Sequence, residues 1–418
     1  MNERLLQYIW QFQYFNRNEL CTVEGEEIQI IQQGKLNTNQ GPDFTDARIR
    51  IGDTVFAGSV ELHLKSSDWQ RHGHSDDANY RNVILHVVYE RDSEGKKGMP
   101  VLELQSRIPK IMLERYGSLM NSGSFIACAN SISEVKEITW FAWKERLLAE
   151  RLSRKTERIL EMYRRTNGHW EETFWWLLAR NFGSKINSDA FEQIARSLPV
   201  TILAKSKNSI HQLEALLLGQ AGLLAGDFTE DYPQLLQREY RFLKAKYKLP
   251  SVAQPVHFLR MRPGNFPSLR LAQLAMLIHT SLHLFSKVLD AETLPEVKQW
   301  LNVTANDYWH YHYLLNEPSS FKIKKLGASM IDNIIINTLA PVLFAYGLYH
   351  NEEKYKTKAL TWLEKTVAEK NSILNGFHLL SVSNKSAYDS QSLLELKNEY
   401  CNKKRCLECS VGNYLLKQ

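Results

Sequence analysis

The hydrophobic pattern of this chain changes period once, near residue 108, and that change limits the folds it can adopt. Between about 26 and 108, apolar and polar residues alternate, the period of a strand with one buried face. The runs are Glu27-Ile28-Gln29-Ile30-Ile31, Ala47-Arg48-Ile49-Arg50-Ile51, Val60-Glu61-Leu62-His63-Leu64, Val83-Ile84-Leu85-His86-Val87-Val88-Tyr89 and Val101-Leu102-Glu103-Leu104. Gly34, Gly41, Gly52-Asp53, Gly73 and Gly95 punctuate them as turns. Residues 1–20 read as a helix, with Leu5, Ile9 and Phe12 on one face. Past residue 109 the period is helical, over 134–165, 170–198, 209–224, 232–247, 268–289, 293–301, 321–349, 352–371 and 387–400. Pro199, Pro250, Pro263-Gly264 and Pro267 fall between these runs as helix stops. The expected fold class is α+β: an N-terminal mixed sheet with a leading helix, followed by a large all-α domain. The join falls between Pro109 and Ser133, where Gly117, Ser118, Asn121, Ser122 and Gly123 cluster. The domains are therefore drawn as 1–115 and 116–418. No fixed-period repeat is present.

A chain of 418 residues has material for two or three domains. No apolar run approaches the ~20 residues needed to cross a bilayer. The start, Met1-Asn2-Glu3-Arg4-Leu5, carries early acid and lacks the basic region, apolar stretch and small-residue cleavage site of a signal peptide. The expectation is a cytoplasmic protein with no membrane partner. A net charge of +6 permits a nucleic-acid partner without requiring one. No phosphate-cradling glycine loop, serine-nucleophile elbow or ATPase signature is present.

Two carboxylates point to a reaction. Asp43 follows Gly41-Pro42 and leads into a strand, and Glu61 lies inside the next strand. Hard oxygen ligands of this kind suit magnesium or manganese. Such an ion polarises a phosphate and activates water. Residues 61, 63 and 65 share one strand face. At a rise of ~3.3 Å per residue, His63 lies ~7 Å from Glu61 and Lys65 ~13 Å, so a regular strand gives the water-positioning place to His63. A bulge would favour Lys65.

A helix, then strands, then Gly41-Pro42-Asp43-Phe44 and Val60-Glu61-Leu62-His63 resembles the core of the PD-(D/E)XK nuclease superfamily, over roughly the first quarter of the chain. The resemblance implies a restriction-endonuclease-like sheet and metal-dependent cleavage of DNA. Asp43 and Glu61 would bind the metal, and His63 stands where the superfamily places a water-assisting lysine. Nearly the whole chain is also similar to a family of uncharacterised Bacteroidota proteins. That likeness is carried by Gly58-Ser59-Val60-Glu61-Leu62-His63, Asp68-Trp69-Gln70-Arg71-His72-Gly73-His74, Ile84-Leu85-His86-Val87-Val88, Arg262-Pro263-Gly264-Asn265-Phe266-Pro267 and Cys406-Leu407-Glu408-Cys409.

Downstream of Glu61 come Asp68, His72, His74, Asp76, Asp77 and His86. Imidazole and carboxylate are natural ligands of zinc, iron or manganese. Two arrangements are open. In one, His63, His72, His74 and His86 hold the metal of a metallohydrolase. In the other, Asp68, His72, His74 and His86 support an Asp43/Glu61 site. His86, in Leu85-His86-Val87, also reads as a hydrogen-bonded core residue.

Cys401-x4-Cys406-x2-Cys409 is the sharpest metal-ligand spacing in the chain. It fits zinc and resembles plant-type iron–sulfur spacing. The fourth ligand is Cys21, Cys128 or a histidine. Some nucleases of the superfamily carry an iron–sulfur staple with one cysteine ahead of the nuclease motif and three near the C-terminus, and that likeness implies Cys21. In the helical part, Arg260, Arg262 and Arg270 flank a rigid loop that opens a helix, a candidate phosphate clamp. Trp309, His310 and His312 lie in an aromatic run that could stack on unpaired bases. A basic stripe of Arg146, Arg151, Arg154, Lys155 and Arg158 reads as a solvated helix face. If the carboxylate site were inert, the chain would be a nucleic-acid-binding protein.

Overall fold

The structure, a computed structural model, describes residues 1–94, 98–281 and 283–418. The turn read at Gly95 lies outside the described residues. The chain forms two compact units, 1–143 with 396–418, and 144–395. The sequence reading put a single division at 115/116 and the C-terminal tail with the helices. In the structure the tail belongs to the first unit.

The first unit opens with α1 (Glu3–Phe12). Asn2 caps it, its side chain accepting the Leu5 amide at 2.9 Å. Gln13 turns left-handed at φ 53° and ends it, eight residues before the expected 1–20 helix would stop being possible at Cys21. Leu5, Leu6, Ile9 and Trp10 are fully buried, each such side chain contributing about 1.5–3 kcal/mol. The strands follow: β1 (Ile28–Gln32), β2 (Lys35–Leu36), β3 (Phe44–Ile51), β4 (Thr54–Lys65), β5 (Val83–Glu90) and β6 (Val101–Glu103). Their order is β1-β3-β4-β5-β6, with β2 also beside β3. The pairs through β3–β4 are antiparallel, and β4–β5 and β5–β6 are parallel. The sheet is mixed, as expected. β3 and β4 meet at the two-residue turn Gly52-Asp53, where Gly52 takes φ 55°.

The parallel step from β4 to β5 forces residues 66–82 to cross over the sheet. This crossover carries the short helix α2 (Asp68–Arg71). Val60, Leu62, Leu85 and Val87 join the core. Glu61, His63 and His86 alternate with them and project from the opposite face, and the fully buried Trp69 of the crossover packs against His63 and His86. After β6, residues expected as a linker form α3 (Lys110–Asn121). α4 (Glu137–Arg165) spans the boundary at 143/144.

The second unit continues with α5 (Trp170–Phe182), α6 (Ser184–Ser197), α7 (Val200–Ser206), α8 (Ile210–Gln220), α9 (Asp231–Tyr247), α10 (Pro267–Thr280), α11 (Leu284–Asp290) and α12 (Leu294–Leu301). A small hairpin follows, β7 (His312–Leu314) and β8 (Glu317–Pro318). Then come α13 (Ala328–Ile334), α14 (Ala340–Tyr349), α15 (Glu353–Lys365), α16 (Ser372–Leu379) and α17 (Ala387–Glu395). The expected helix 170–198 is broken at Ser184, which takes φ 53°. A π turn, Ile335–Leu339, joins α13 to α14, because Pro341 has no N–H to continue the ladder. The 22-residue run Ala328–Tyr349 contains an 18-residue window of mean hydropathy 1.5 and is long and apolar enough to cross a membrane, which corrects the expectation of no such run. Two-thirds of that window (67%) is buried within the structure, as in a core helix. The basic stripe of α4 is not solvated throughout. Arg151 and Arg154 pair with the buried Glu395, and Lys155 bonds Asn337 and Gln391 at 3.1 and 3.0 Å. The first unit closes with α18 (Ser410–Lys417).

Candidate metal centre

The sheet and its crossover bring Asp43, Glu61, His63, His72, His74 and His86 together. Asp43 stands just ahead of β3. Its Oδ1 accepts from Gln7 Nε2 at 2.7 Å and its Oδ2 from the Leu62 amide at 3.1 Å. The Asp43 amide donates to Glu61 Oε2 at 3.0 Å. The Glu61 carboxylate is thus locked to the Asp43 backbone, and the Asp43 carboxylate to the backbone of Leu62, the residue after Glu61. Glu61 Oε1 is left facing the histidines.

There it lies 3.5 Å from His63 Nε2 and 3.4 Å from His74 Nε2. His63 Nε2 is 3.2 Å from His72 Nδ1. The donor nitrogens of His63, His72 and His74 all fall within 4.8 Å of one another. Ligands ~2.1 Å from a tetrahedral ion stand ~3.4 Å apart, so these gaps are the edges of a coordination shell. His74 Nε2 is buried and makes no hydrogen bond. A buried ring nitrogen aimed at a carboxylate oxygen and at other imidazoles is a group in need of a partner.

Electrostatics agree with the geometry. Burial, then the charge of Asp43, raises the Glu61 carboxyl to about 8. Burial raises Asp43 to about 6, against the lowering effect of the Leu62 and Gln7 hydrogen bonds. Burial, then His86, His74 and His72, drives His63 far below its ordinary value, and burial also lowers His74. The His63 and His74 imidazoles are therefore neutral with lone pairs to give, and the carboxylates lack a counter-charge. A divalent cation satisfies both conditions.

A cation among them also fixes the tautomers. With Nε2 as ligand, His63 carries its proton on Nδ1 and donates to His86 Nε2, 2.9 Å away. His86 thus supports His63 rather than binding directly. Burial lowers it to about 4. Tyr80 stacks on His74 with centroids 3.8 Å apart, fixing the second ring. His72 is exposed, so the centre opens to solvent on that side.

Other expected site residues lie elsewhere. β4 pairs with β5 in unbroken register from Val60 to Lys65, so no bulge returns Lys65 to Glu61. Lys65 is exposed, 4.0 Å from Asp92. Asp68 is buried, but its carboxylate accepts the Lys65 amide at 3.1 Å and pairs with Arg71 at 2.7 Å, so it holds the crossover and not the metal. Trp309 is fully buried and donates to Glu214 at 3.0 Å. His312 is buried, stacked 3.9 Å from Tyr308 and bound to Glu230 at 3.1 Å. Neither offers a ring to a base. His310 is half-buried, 3.7 Å from Asp307. Arg260 and Arg262 are exposed. Arg270 is half-buried, tied to Asn265 and Gln273 at 2.6 and 2.9 Å. It lines a cavity of about 550 Å³ with Lys155, Arg158, Arg180 and Lys185, a cationic pocket the sequence reading missed because four elements supply it. Cys21 is exposed and bridges Glu27. Cys128 feels the charges of Cys406 and Cys409, and Cys401 those of Cys128, Cys406 and Cys409.

No curated protein and no solved structure matches the chain. Residues 3–372 match the family described as protein of unknown function (DUF2851), and the chain belongs to that family.

Proposed function

We propose that this protein is a metal-dependent nuclease whose ion is held by Glu61, His63, His72 and His74, with Asp43 beside it. The observation that carries this reading is three ring nitrogens, of His63, His72 and His74, within 4.8 Å of one another, with Glu61 Oε1 at 3.5 and 3.4 Å from those of His63 and His74. Three imidazoles and a carboxylate suit zinc, manganese or iron better than magnesium, which prefers oxygen and water. The proposal therefore moves the ion from the magnesium or manganese site of Asp43 and Glu61 to a centre that the imidazoles share.

Phosphodiester cleavage is supported by the framework: α1, then the β3–β4 hairpin with Asp43 before β3 and Glu61 within β4, then β5. This arrangement resembles the PD-(D/E)XK superfamily, with His63 in the place of its lysine. Bound there, the ion would polarise a phosphate oxygen and lower the pKa of water. Asp43, ionised above about 6 and held by Gln7 and Leu62, would serve as the base for that water. Glu61 and His74 fix the ion on the side that Trp69 and Tyr80 shield. Arg158, Lys185 and Arg270, which line the cavity of the second unit, support a polyanionic substrate.

The test is cleavage of single- and double-stranded DNA by the full chain with zinc, manganese or magnesium, beside Asp43→Ala, His74→Ala and Lys65→Ala. Cutting that needs manganese or zinc, is lost in the first two variants and persists in Lys65→Ala supports the reading. Cutting lost in Lys65→Ala but kept in His74→Ala would overturn the imidazole centre. No cutting with any ion would overturn the nuclease.

A further inference from the structure

A second cluster of metal-ligating side chains lies in the first unit, apart from the histidine centre. Cys128 sits between α3 and α4, and Cys401, Cys406 and Cys409 lie in the C-terminal segment. Nothing in the nuclease reading uses them.

The tail is built against the Cys128 region by specific contacts. Lys397 Nζ bonds the Phe125 carbonyl, and Lys404 Nζ bonds the Met120 carbonyl. Arg115 reaches the Leu415 carbonyl at 3.5 Å. Cys406 and Leu416 join the core with Leu119, and Cys128 packs against it. The turn between Cys406 and Cys409 is pressed onto α18 so closely that a Cβ on Gly412 would stand 2.2 Å from the Cys406 carbonyl oxygen. Only glycine permits that approach. The consequence is that the Val411 and Gly412 amides, at the start of α18, are aimed at the Cys409 sulfur.

All four thiols are free, with no disulfide among them. Cys406 and Cys409 are buried, and each of Cys128 and Cys401 is close enough to feel the charge of both. The packing of the tail gathers the four thiols in one place, and amide donors point at the Cys409 sulfur. Amide N–H groups directed at a buried cysteine sulfur are the surroundings of a ligated thiolate.

The spacing distinguishes a cluster from a single ion. Four sulfurs ~2.3 Å from one zinc stand ~3.8 Å apart. Among the described residues, the only set of three or more such donors gathered within 4.8 Å is the imidazole triad. In any three of these sulfurs at least one gap therefore exceeds 4.8 Å, wider than one zinc requires. A cluster separates its cysteines because they bind different irons.

We propose that Cys128, Cys401, Cys406 and Cys409 hold an iron–sulfur cluster that fastens the C-terminal segment to the first unit. Cys21, the ligand expected from the sequence, takes no part. The cluster is a structural clasp, independent of the nuclease chemistry.

The test is the iron, acid-labile sulfide and zinc content of the full chain purified without oxygen, with its visible absorption and electron paramagnetic resonance after reduction. The expected result is iron and sulfide in equal amounts, about two or four of each per chain. Cys21→Ser should keep the full content and Cys128→Ser should lose it. Zinc without sulfide, no metal at all, or loss in Cys21→Ser with retention in Cys128→Ser would each overturn the proposal. The wild-type content decides the matter even if Cys128→Ser fails to fold. Asp43→Ala should keep the cluster, so failure of the nuclease reading and failure of this one are separable.

Discussion

His86→Phe separates the support of the metal centre from its ligands. His86 Nε2 lies 2.9 Å from His63 Nδ1, while its own Nδ1 is buried without a partner. Phenylalanine keeps a planar ring against Trp69, whose centroid is 5.2 Å away, and removes both nitrogens. Leaving the buried His63 Nδ1 unpaired costs about 1–3 kcal/mol of folding stability, and removal of the unpartnered His86 nitrogen returns about 1–3 kcal/mol. The two offset, so the metal-free protein should unfold in urea within about 2 kcal/mol of wild type. The metal is a different matter. A ligand histidine deprived of its supporting partner typically loses about 10–100-fold in affinity, or about 1.4–2.7 kcal/mol. Competition against a chromophoric chelator should show that loss for zinc and manganese. Unchanged affinity in a folded His86→Phe protein would refute the claim that His86 orients His63. Equal losses of stability and affinity would show that it merely fills the core.

Further outcomes follow from other places in the fold. Glu214 is fully buried, accepts from Trp309 and Tyr232, and is raised by burial from 4.5 to about 7. The folded state keeps a proton there that the unfolded chain loses, so stability should fall as pH rises from 4.5 to about 7 and stay level above it. Glu214→Gln should remove that slope and gain up to about 3 kcal/mol at pH 8, read by urea unfolding across pH. An unchanged slope would contradict the assignment. At Gly58, a Cβ would meet the Asn82 carbonyl oxygen at 2.5 Å and Ile84 Cγ2 at 2.5 Å, where β4 joins β5. Gly58→Ala should cost about 1–3 kcal/mol in urea unfolding and weaken metal binding, because the same strand pair positions Glu61 and His86. A variant as stable as wild type would show that the strands can separate freely.

The fold was legible where periodicity is local. The alternation around Ile49, Val60 and Leu85 marked β3, β4 and β5, and Pro199, Pro250 and Pro267 bracketed helices correctly. Strand arithmetic alone placed His63, not Lys65, beside Glu61, because β4 is regular there. Long-range facts were hidden. Nothing local shows that 66–82 crosses over the sheet, which is what turns His72 and His74 from a polar turn into donors beside Glu61. Spacing left Cys21, Cys128 or a histidine open as the fourth ligand and the superfamily likeness implied Cys21, because nothing local shows that the tail packs near α3. The Tyr308–Tyr313 run looked like a stacking surface because composition does not distinguish an exposed ring from one held by Glu214 or Glu230, which lie 95 and 82 residues away. The stripe on α4 looked solvated for the same reason. Its partner Glu395 is more than 240 residues on.

The central claim is the identity of the ligands. A crystal of the full chain grown with zinc or manganese, with diffraction recorded on both sides of that metal's absorption edge, tests it most directly. The account predicts one anomalous peak within about 2.0–2.3 Å of His63 Nε2, His72 Nδ1, His74 Nε2 and Glu61 Oε1, with His86 behind His63. A peak bound by Asp43 and Glu61 without the imidazoles, or none at this site, would contradict it.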